Sequence, residues 1–433
     1  MIYRIVAPEA GEILVSPKTG SVSLAYNGNP IDYFDRDGRL LGSQVGDRHY
    51  RRGLDNRLLE KYRRPEDGEH VRNEVPEPAR QRLITAAYER AGMLADAVSR
   101  SSIECRPTHP SDMALPLSAR EALAGFLNPI LAQGFERLCV EAMEFQRMYA
   151  PVSILPPDQY LSVVAQLTTG CSYNRCTFCN FYKSRGFTVK SADEFRRHLS
   201  EVVSFPATFA RLRKSVFLAD GNALSLPHTK LLEMFGVLHE FFSFVPSQVC
   251  EIRERYAYRK SHPHSYEGVF SFVDGRAAME KTVDDFRELK EQHLRRVYVG
   301  LESGDDALLT FVRKPATRSE IIDAVRRMKT AGLNVGVIAM VGVGGDRFAS
   351  THVEETINAI NAMELGDGDI VYLSDFVNHR GLPYERLARE RGIRDLTSLE
   401  LKTQRNGIRA GLRWKDPGKP AQVSLYDIRE FIY

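Results

Sequence analysis

Thr168-Thr169-Gly170-Cys171-Ser172-Tyr173-Asn174-Arg175-Cys176-Thr177-Phe178-Cys179-Asn180-Phe181-Tyr182 places three cysteines within nine residues, spaced C-x4-C-x2-C. Thiolates are soft ligands suited to iron and zinc, and one short loop carrying three of them can wrap a compact metal centre. A closed zinc site normally takes four protein ligands, and no fourth Cys or His stands beside this loop. A four-iron cluster held by three thiolates leaves one iron open. Two other readings stand beside it: three buried cysteines packed as small hydrophobes, and zinc completed by a remote Cys250, His262 or His264.

Working outward, Leu161 to Leu167 is an apolar, strand-like run that ends at the loop. Five more strand candidates follow: Ser215 to Ala219, Gly268 to Val273, Arg296 to Gly300, Asn334 to Val343 and Asp369 to Phe376. Helical periodicity fills Leu226 to Phe242, Thr282 to His293, Arg318 to Ala331 and His352 to Met363. Strands alternating with helices predict parallel βα units, and runs such as Val335-Gly336-Val337-Ile338-Ala339-Met340-Val341 suit strands buried on both faces. The expected fold is α/β: a partial or complete parallel (β/α) barrel of six βα units, with an N-terminal α+β accessory region and a C-terminal extension. The expected boundaries are 1–150 for the accessory region, 151–385 for the barrel and 386–433 for the extension. Ser243 to Tyr266 is longer than an ordinary connection and reads as an insertion.

In the accessory region, Ile2 to Ala7, Ile13 to Ser16 and Val22 to Tyr26 favour short strands separated by turn residues. Asn56 to Arg64 and Glu77 to Val98 carry helical spacing. Residues 117 to 149 add more helix, with Ser118 as cap and Glu121 three places on.

Composition narrows the class. Of 433 residues, 43% are hydrophobic and 27% charged, the balance of a chain with a buried core. No run of 18 apolar residues occurs, and Met1 to Val6 leads into Pro8, Glu9 and Glu12 rather than a signal-peptide apolar region. A cytoplasmic protein with no membrane role is the expectation. Six cysteines are too sparse for a disulfide framework. A net charge of +3 from 59 basic and 56 acidic residues does not point to nucleic acid. The basic stretches Arg48 to Arg64 and Arg253 to Lys260 read as solvated faces.

The cysteine loop after a first barrel strand resembles that of the radical S-adenosylmethionine (SAM) superfamily, whose usual spacing is C-x3-C-x-aromatic-C. This chain carries one extra residue between the first two cysteines and keeps an aromatic residue, Phe178, before the third. The resemblance implies that Cys171, Cys176 and Cys179 hold a four-iron four-sulfur cluster and that Phe178 lies near the adenine of S-adenosylmethionine. It places Gly221 and Asn222, with Asp220 beside them, at the methionyl amine. Val299-Gly300-Leu301-Glu302-Ser303-Gly304 is similar to a G-x-E-S-G stretch of the branch that includes coproporphyrinogen dehydrogenases and methylthiotransferases, so Glu302 and Ser303 would face the cofactor. A carboxylate there can accept hydrogen bonds from both ribose hydroxyls. Lys314 would pair with the methionyl carboxylate. Gly342 would let the backbone approach the adenine. His379, Arg380 and Tyr384 would follow the sixth strand near substrate.

The activity implied is reductive cleavage of S-adenosylmethionine to a 5'-deoxyadenosyl radical, fed by a reductant such as flavodoxin or ferredoxin. The radical would act on an unidentified substrate in an oxidoreductase, transferase or lyase reaction. Outside the loop no second multi-cysteine motif and no D-x-H-x-x-G corrinoid motif occurs. Competing readings are a coproporphyrinogen dehydrogenase-like tetrapyrrole or heme protein, and a non-catalytic protein that binds an iron–sulfur cluster or zinc.

Overall fold

A computed structural model describes residues 1–7, 11–66, 68–106, 118–205, 212–249 and 251–433. They form two compact units. The first comprises Met1–Pro151, Ser204–Arg213 and Arg429–Tyr433, and the second Val152–Val203 and Lys214–Ile428. Residues 386–428, expected as part of a separate extension, fall within the second.

The first unit is built on an antiparallel meander of β1 (Ile2–Ala7), β2 (Gly11–Pro17), β3 (Ser21–Tyr26), β4 (Ile31–Asp35), β5 (Leu40–Val45), β6 (Arg48–Arg52), β7 (Leu58–Arg63) and β8 (His70–Glu74). After helix α1 (Glu77–Arg100), β9 (Ser102–Arg106) returns to pair with β1. Helices α2 (Ala119–Leu131) and α3 (Phe135–Met148) follow. Period-two alternation sends Tyr3, Ile5, Ile13, Val15, Val22 and Leu24 to one face, where they share a core with Ile84, Ala87, Ala91 and Leu94 of α1. Ser118 caps α2 by accepting from the Glu121 backbone N–H.

The helix expected at Asn56–Arg64 is instead strand β7, so that expectation is corrected. Nine residues are too few to hold a helix without a packed face. As a strand the segment gains ladders on both sides, and Glu60 meets Arg48 at 2.7 Å and the Tyr50 hydroxyl at 3.0 Å.

The second unit opens with β10 (Ser162–Gln166), and the short antiparallel pair β11 (Thr168–Thr169) and β12 (Thr188–Val189) encloses the cysteine loop. Then come α4 (Ala192–Ser204), β13 (Ser215–Ala219), α5 (His228–Phe241), β14 (Ser243–Phe244), α6 (Ile252–Ser261), β15 (Ser265–Tyr266) and β16 (Val269–Val273). Helices α7 (Gly275–Met279) and α8 (Val283–Glu291) lead to β17 (Leu294–Glu302), followed by α9 (Asp306–Phe311), α10 (Arg318–Thr330), β18 (Asn334–Val341) and α11 (Gly345–Ala362). The last elements are β19 (Ile370–Asp375), α12 (Pro383–Glu390), α13 (Ser398–Gly411) and β20 (Gln422–Leu425).

Seven of these strands form one all-parallel sheet in the order β10-β13-β16-β17-β18-β19-β20. The first six coincide with the strands expected from sequence, and the seventh comes from the C-terminal region. Among the described residues β10 and β20 remain as edges, so the barrel is partial. Strand β13 is buried at every position, as a sheet with both faces covered requires.

The N-terminal end of the sheet is closed by polar groups. Asp158 accepts from the Tyr298 hydroxyl at 2.5 Å, the Tyr372 hydroxyl at 2.6 Å and Arg296 at 2.7 Å. Gly336 leaves room for this plug, because a Cβ there would lie 2.3 Å from the Tyr298 ring. Asp158→Ala strands two phenols and a guanidinium that burial has desolvated. We expect about 2–4 kcal/mol of lost stability, read as a lower urea midpoint with an unchanged slope; an unaltered midpoint contradicts this account of the plug.

Candidate functional site

Strands that point their C-terminal ends the same way gather whatever residues follow them. Here the ends of β10, β13, β16, β17, β18, β19 and β20 surround one cavity of about 1120 Å³, counting its open mouth. Alternation decides which side chains enter it. Phe272 and Asp274 come from the β16 end, Tyr298, Gly300 and Glu302 from β17, Ile338 and Met340 from β18, and Ser374 and Phe376 from the β19 end. The loop after β10 supplies Cys171, Cys176 and Cys179.

The cysteine loop is held at both ends by one carboxylate. Asp220, after β13, accepts from the Gly170 N–H at 3.3 Å and from Arg185 at 2.8 Å. Asp220 is 3% exposed, and its carboxyl is pushed up to about 6 by burial, against the pull of Arg185. Between these anchors, Thr177 donates its N–H to the Val312 carbonyl at 3.0 Å, and the Tyr173 hydroxyl donates to the Arg313 carbonyl at 2.9 Å. Asn174 sits in the left-handed region at φ 45° and donates to the Tyr182 carbonyl at 2.9 Å, so the four-residue spacer turns back on the loop. Burial pushes the Cys176 thiol up to about 12, with the Lys314 ammonium opposing, and raises the Cys179 thiol as well.

Across the cavity Lys314 Nζ lies 2.7 Å from Glu302 Oε1, both side chains nearly enclosed. Burial pulls the Lys314 ammonium down, but the Glu302 carboxylate and the Cys176 sulfur raise it further, so it keeps its proton. Gly300 makes the pair possible: a Cβ would fall 2.2 Å from Glu302 Oε1 and 2.8 Å from Lys314 Nζ. Glu302 itself has φ 60° at a shift in the β17–β18 register, which aims its side chain back into the cavity.

The radical SAM superfamily matches residues 166–358, from the end of β10 through most of α11. The chain carries a radical SAM domain. That superfamily uses a four-iron four-sulfur cluster and S-adenosylmethionine, and the matched residues include all three loop cysteines, Glu302 and Lys314. No curated protein matches the chain significantly. Among solved structures, the chain is similar to the cobalamin-dependent S-adenosylmethionine radical enzyme OxsB with aqua-cobalamin and S-adenosylmethionine bound, at 14% identity and TM-score 0.38, covering 84% of this chain and 38% of that one. It is similar to coproporphyrinogen III oxidase (HemN) from Escherichia coli at 15% identity and TM-score 0.39, covering 64% and 55%. For HydG, a maturase of the [FeFe]-hydrogenase, the values are 12%, 0.39, 80% and 72%. The chain thus spans well under two thirds of the first two, and at these scores the likeness fixes neither activity nor substrate.

The radical SAM domain brings Cys171, Cys176, Cys179, Phe178, Gly221, Glu302 and Lys314 together around the cavity. Phe178 reaches it from beside an apolar cluster that includes Met340 and Tyr384. Asn222, Ser303 and Gly342, also assigned to the cofactor in the sequence, do not line the cavity, and neither do Asp220, Arg380 and Tyr384. Asn222 is buried beneath it, donating to Ser172 Oγ at 2.8 Å and to Asp274, whose N–H it accepts at 3.0 Å. Ser303 turns toward α11, with its hydroxyl 2.8 Å from His352 Nδ1. Gly342 donates its N–H to Gln404 at 2.6 Å and lies under α13, where a Cβ would meet Leu401 at 2.4 Å. His379 lines the cavity, whereas the Tyr384 hydroxyl accepts from the Gly344 N–H at 2.9 Å. Sequence reading passed over Asp274, which ends β16, caps α7 and faces the cavity; an Asp-Gly pair closing an apolar strand was the available signal.

Asp220 yields a prediction with a definite sign. A carboxyl whose folded value lies near 6, above the ordinary value near 4, holds its proton in the folded chain after the unfolded chain has lost it. Stability therefore falls as pH rises from about 4 to about 6, by roughly 1–3 kcal/mol. Asp220→Asn is expected to remove that slope. Urea titrations of both proteins across this range test it, and parallel pH profiles contradict it.

Proposed function

We propose that the second unit is a single-cluster radical SAM enzyme, with Cys171, Cys176 and Cys179 ligating the cluster and S-adenosylmethionine seated in the adjoining cavity. The observation that carries this reading is that three loop thiols and a buried Glu–Lys pair meet around one cavity at the strand ends. Held there by the three thiols, the cluster would supply the one-electron reduction that splits S-adenosylmethionine into methionine and a 5'-deoxyadenosyl radical able to take hydrogen from substrate.

The chain's own groups do the binding. Lys314 has three N–H donors and spends one on Glu302 Oε1, which leaves two for the methionyl carboxylate. Glu302 keeps its second oxygen for ribose hydroxyls, so the ligand need not break the buried pair. The methionyl amine would lie at Gly221, where a Cβ would come 2.5 Å from the Tyr182 ring, so a side chain there would crowd the site. Phe178, Phe272, Met340 and Phe376 offer apolar surface to the adenine and help keep water from the reacting centre. The electron is proposed to come from a separate carrier such as flavodoxin or ferredoxin.

The zinc reading is disfavoured by placement. His262 stacks on Tyr258 at 4.1 Å between ring centroids and does not line the cavity, while Cys250 lies outside the described residues. A loop of three closely spaced thiols with no fourth Cys or His beside it suits a multi-iron cluster better than a closed zinc site. Among the described residues no helix is long and apolar enough to cross a membrane. The free thiols at Cys139 and in the loop suit a reducing compartment, and we propose the cytoplasm.

Anaerobic reconstitution with iron and sulfide, then dithionite and S-adenosylmethionine, is expected to yield 5'-deoxyadenosine. Replacing Cys171, Cys176 and Cys179 together with Ala should abolish both iron uptake and product. A cluster-loaded protein that forms none, or stoichiometric zinc in place of iron, overturns the proposal.

A further inference from the structure

The polar groups that would hold S-adenosylmethionine come from the cysteine loop and from the ends of β13 and β17, which leaves another wall of the same cavity without a task. That wall is built by the residues that follow β19 and β20 and by the segment before β10. Its surface is largely apolar: Val377 follows β19, Tyr426 and Ile428 follow β20, and Ile154 precedes β10. The Tyr426 hydroxyl donates to the Leu155 carbonyl at 2.7 Å, so the polar atom of that side chain is already engaged.

Charge around the cavity is matched within the fold. Lys314 is the one lysine or arginine among the described residues that line it, and it pairs with Glu302. Asp274 accepts from the Ala277 N–H at 2.8 Å and from the Asn222 amide. Asp375, at the end of β19, accepts from Arg405 with both oxygens, at 2.6 and 2.8 Å, and Arg405 itself does not line the cavity. His379 stands apart from this pattern. It lines the cavity from the loop after β19, and its Nε2 is buried with no hydrogen-bond partner in the chain. Burial alone acts on the imidazole and lowers it from the ordinary value, so the ring is neutral and can donate from one nitrogen while accepting at the other.

We propose that this wall binds the substrate, and that the substrate is a small, uncharged, largely apolar molecule with one hydroxyl or carbonyl group that hydrogen-bonds His379. The inference rests on the proposed function, which seats S-adenosylmethionine against the other strand ends. A buried charge is tolerated only beside a partner, and this wall has none to give. A substrate with several carboxylates, such as a tetrapyrrole of the coproporphyrinogen type, would set them against Val377 and Ile428. An ammonium group fares no better, because Arg405 already neutralises Asp375. Size points the same way. The cavity of about 1120 Å³, its open mouth included, must also take S-adenosylmethionine, and a single drug-sized ligand by itself fills roughly 300–1000 Å³.

The test uses the reconstituted protein with its cluster oxidised, so that S-adenosylmethionine is bound at saturation and not cleaved. Four probes with one ring system are titrated into it by calorimetry: 2-naphthol, naphthalene, 2-naphthoate and 2-naphthylmethylammonium. One 2-naphthol should bind per chain, about tenfold or more tighter than either charged probe. His379→Ala should weaken 2-naphthol by about fivefold, the worth of one hydrogen bond, and leave naphthalene unchanged. Val377→Lys, which puts a cation into the wall, should bring 2-naphthoate level with 2-naphthol or ahead of it, and this variant keeps the test intact if His379→Ala fails to fold. A charged probe that binds the parent protein as tightly as 2-naphthol would overturn the inference. So would equal weakening of 2-naphthol and naphthalene in His379→Ala, or a parent protein that forms 5'-deoxyadenosine under dithionite yet binds no 2-naphthol. A parent protein that loads no cluster would instead remove the proposed function, and this inference with it.

Discussion

Asp220 is the tie on which the site depends. The 18-residue loop between β11 and β12 has little secondary structure of its own, and ordering it costs entropy at every residue. One carboxylate offsets that cost by fastening the start of the loop through Gly170 and its end through Arg185 to the tip of β13. Because the carboxylate is buried, the guanidinium is its partner in a medium where charge interactions are strong, and neither group is readily exchanged for water. The remaining contacts of the loop, from Thr177 and Tyr173 to the turn after α9, act on a segment whose ends are already in place.

Given that tie, the cavity follows from strand periodicity and from a few absent side chains. Parallel strands ending together place alternate residues around a common space, and Gly300, Gly221 and Gly336 each free room for a particular neighbour. At Gly300 the neighbour is the Glu302–Lys314 pair. At Gly221 and Gly336 it is a tyrosine ring, Tyr182 and Tyr298 respectively. The polar plug around Asp158 closes the opposite end, so the space opens only where the strands finish.

Much of this was legible in the sequence. The first six strands of the parallel sheet announce themselves because strands buried on both faces are nearly continuous apolar runs, and the three closely spaced cysteines mark the loop that lines the cavity. Glu302 and Lys314 were marked as separate candidates, but their pairing depends on the left-handed turn at Glu302, which leaves no mark on hydrophobic periodicity. Ser303 and Gly342 looked like cavity residues because they follow strand ends. They are turned away by His352 and by α13, elements far along the chain whose packing no local pattern reports. The misread segment at Leu58–Arg63 has the same cause in reverse, since its strand state is imposed by β6 and β8 and not by its own residues.

The central claim is that three thiolates of this loop hold a cluster with one iron open to S-adenosylmethionine. Electron paramagnetic resonance of the reduced, reconstituted protein tests it most directly. The account predicts a four-iron four-sulfur signal that changes on addition of S-adenosylmethionine and that is lost when Cys171, Cys176 and Cys179 are replaced. A signal that S-adenosylmethionine leaves untouched, or one that survives the replacements, would contradict it.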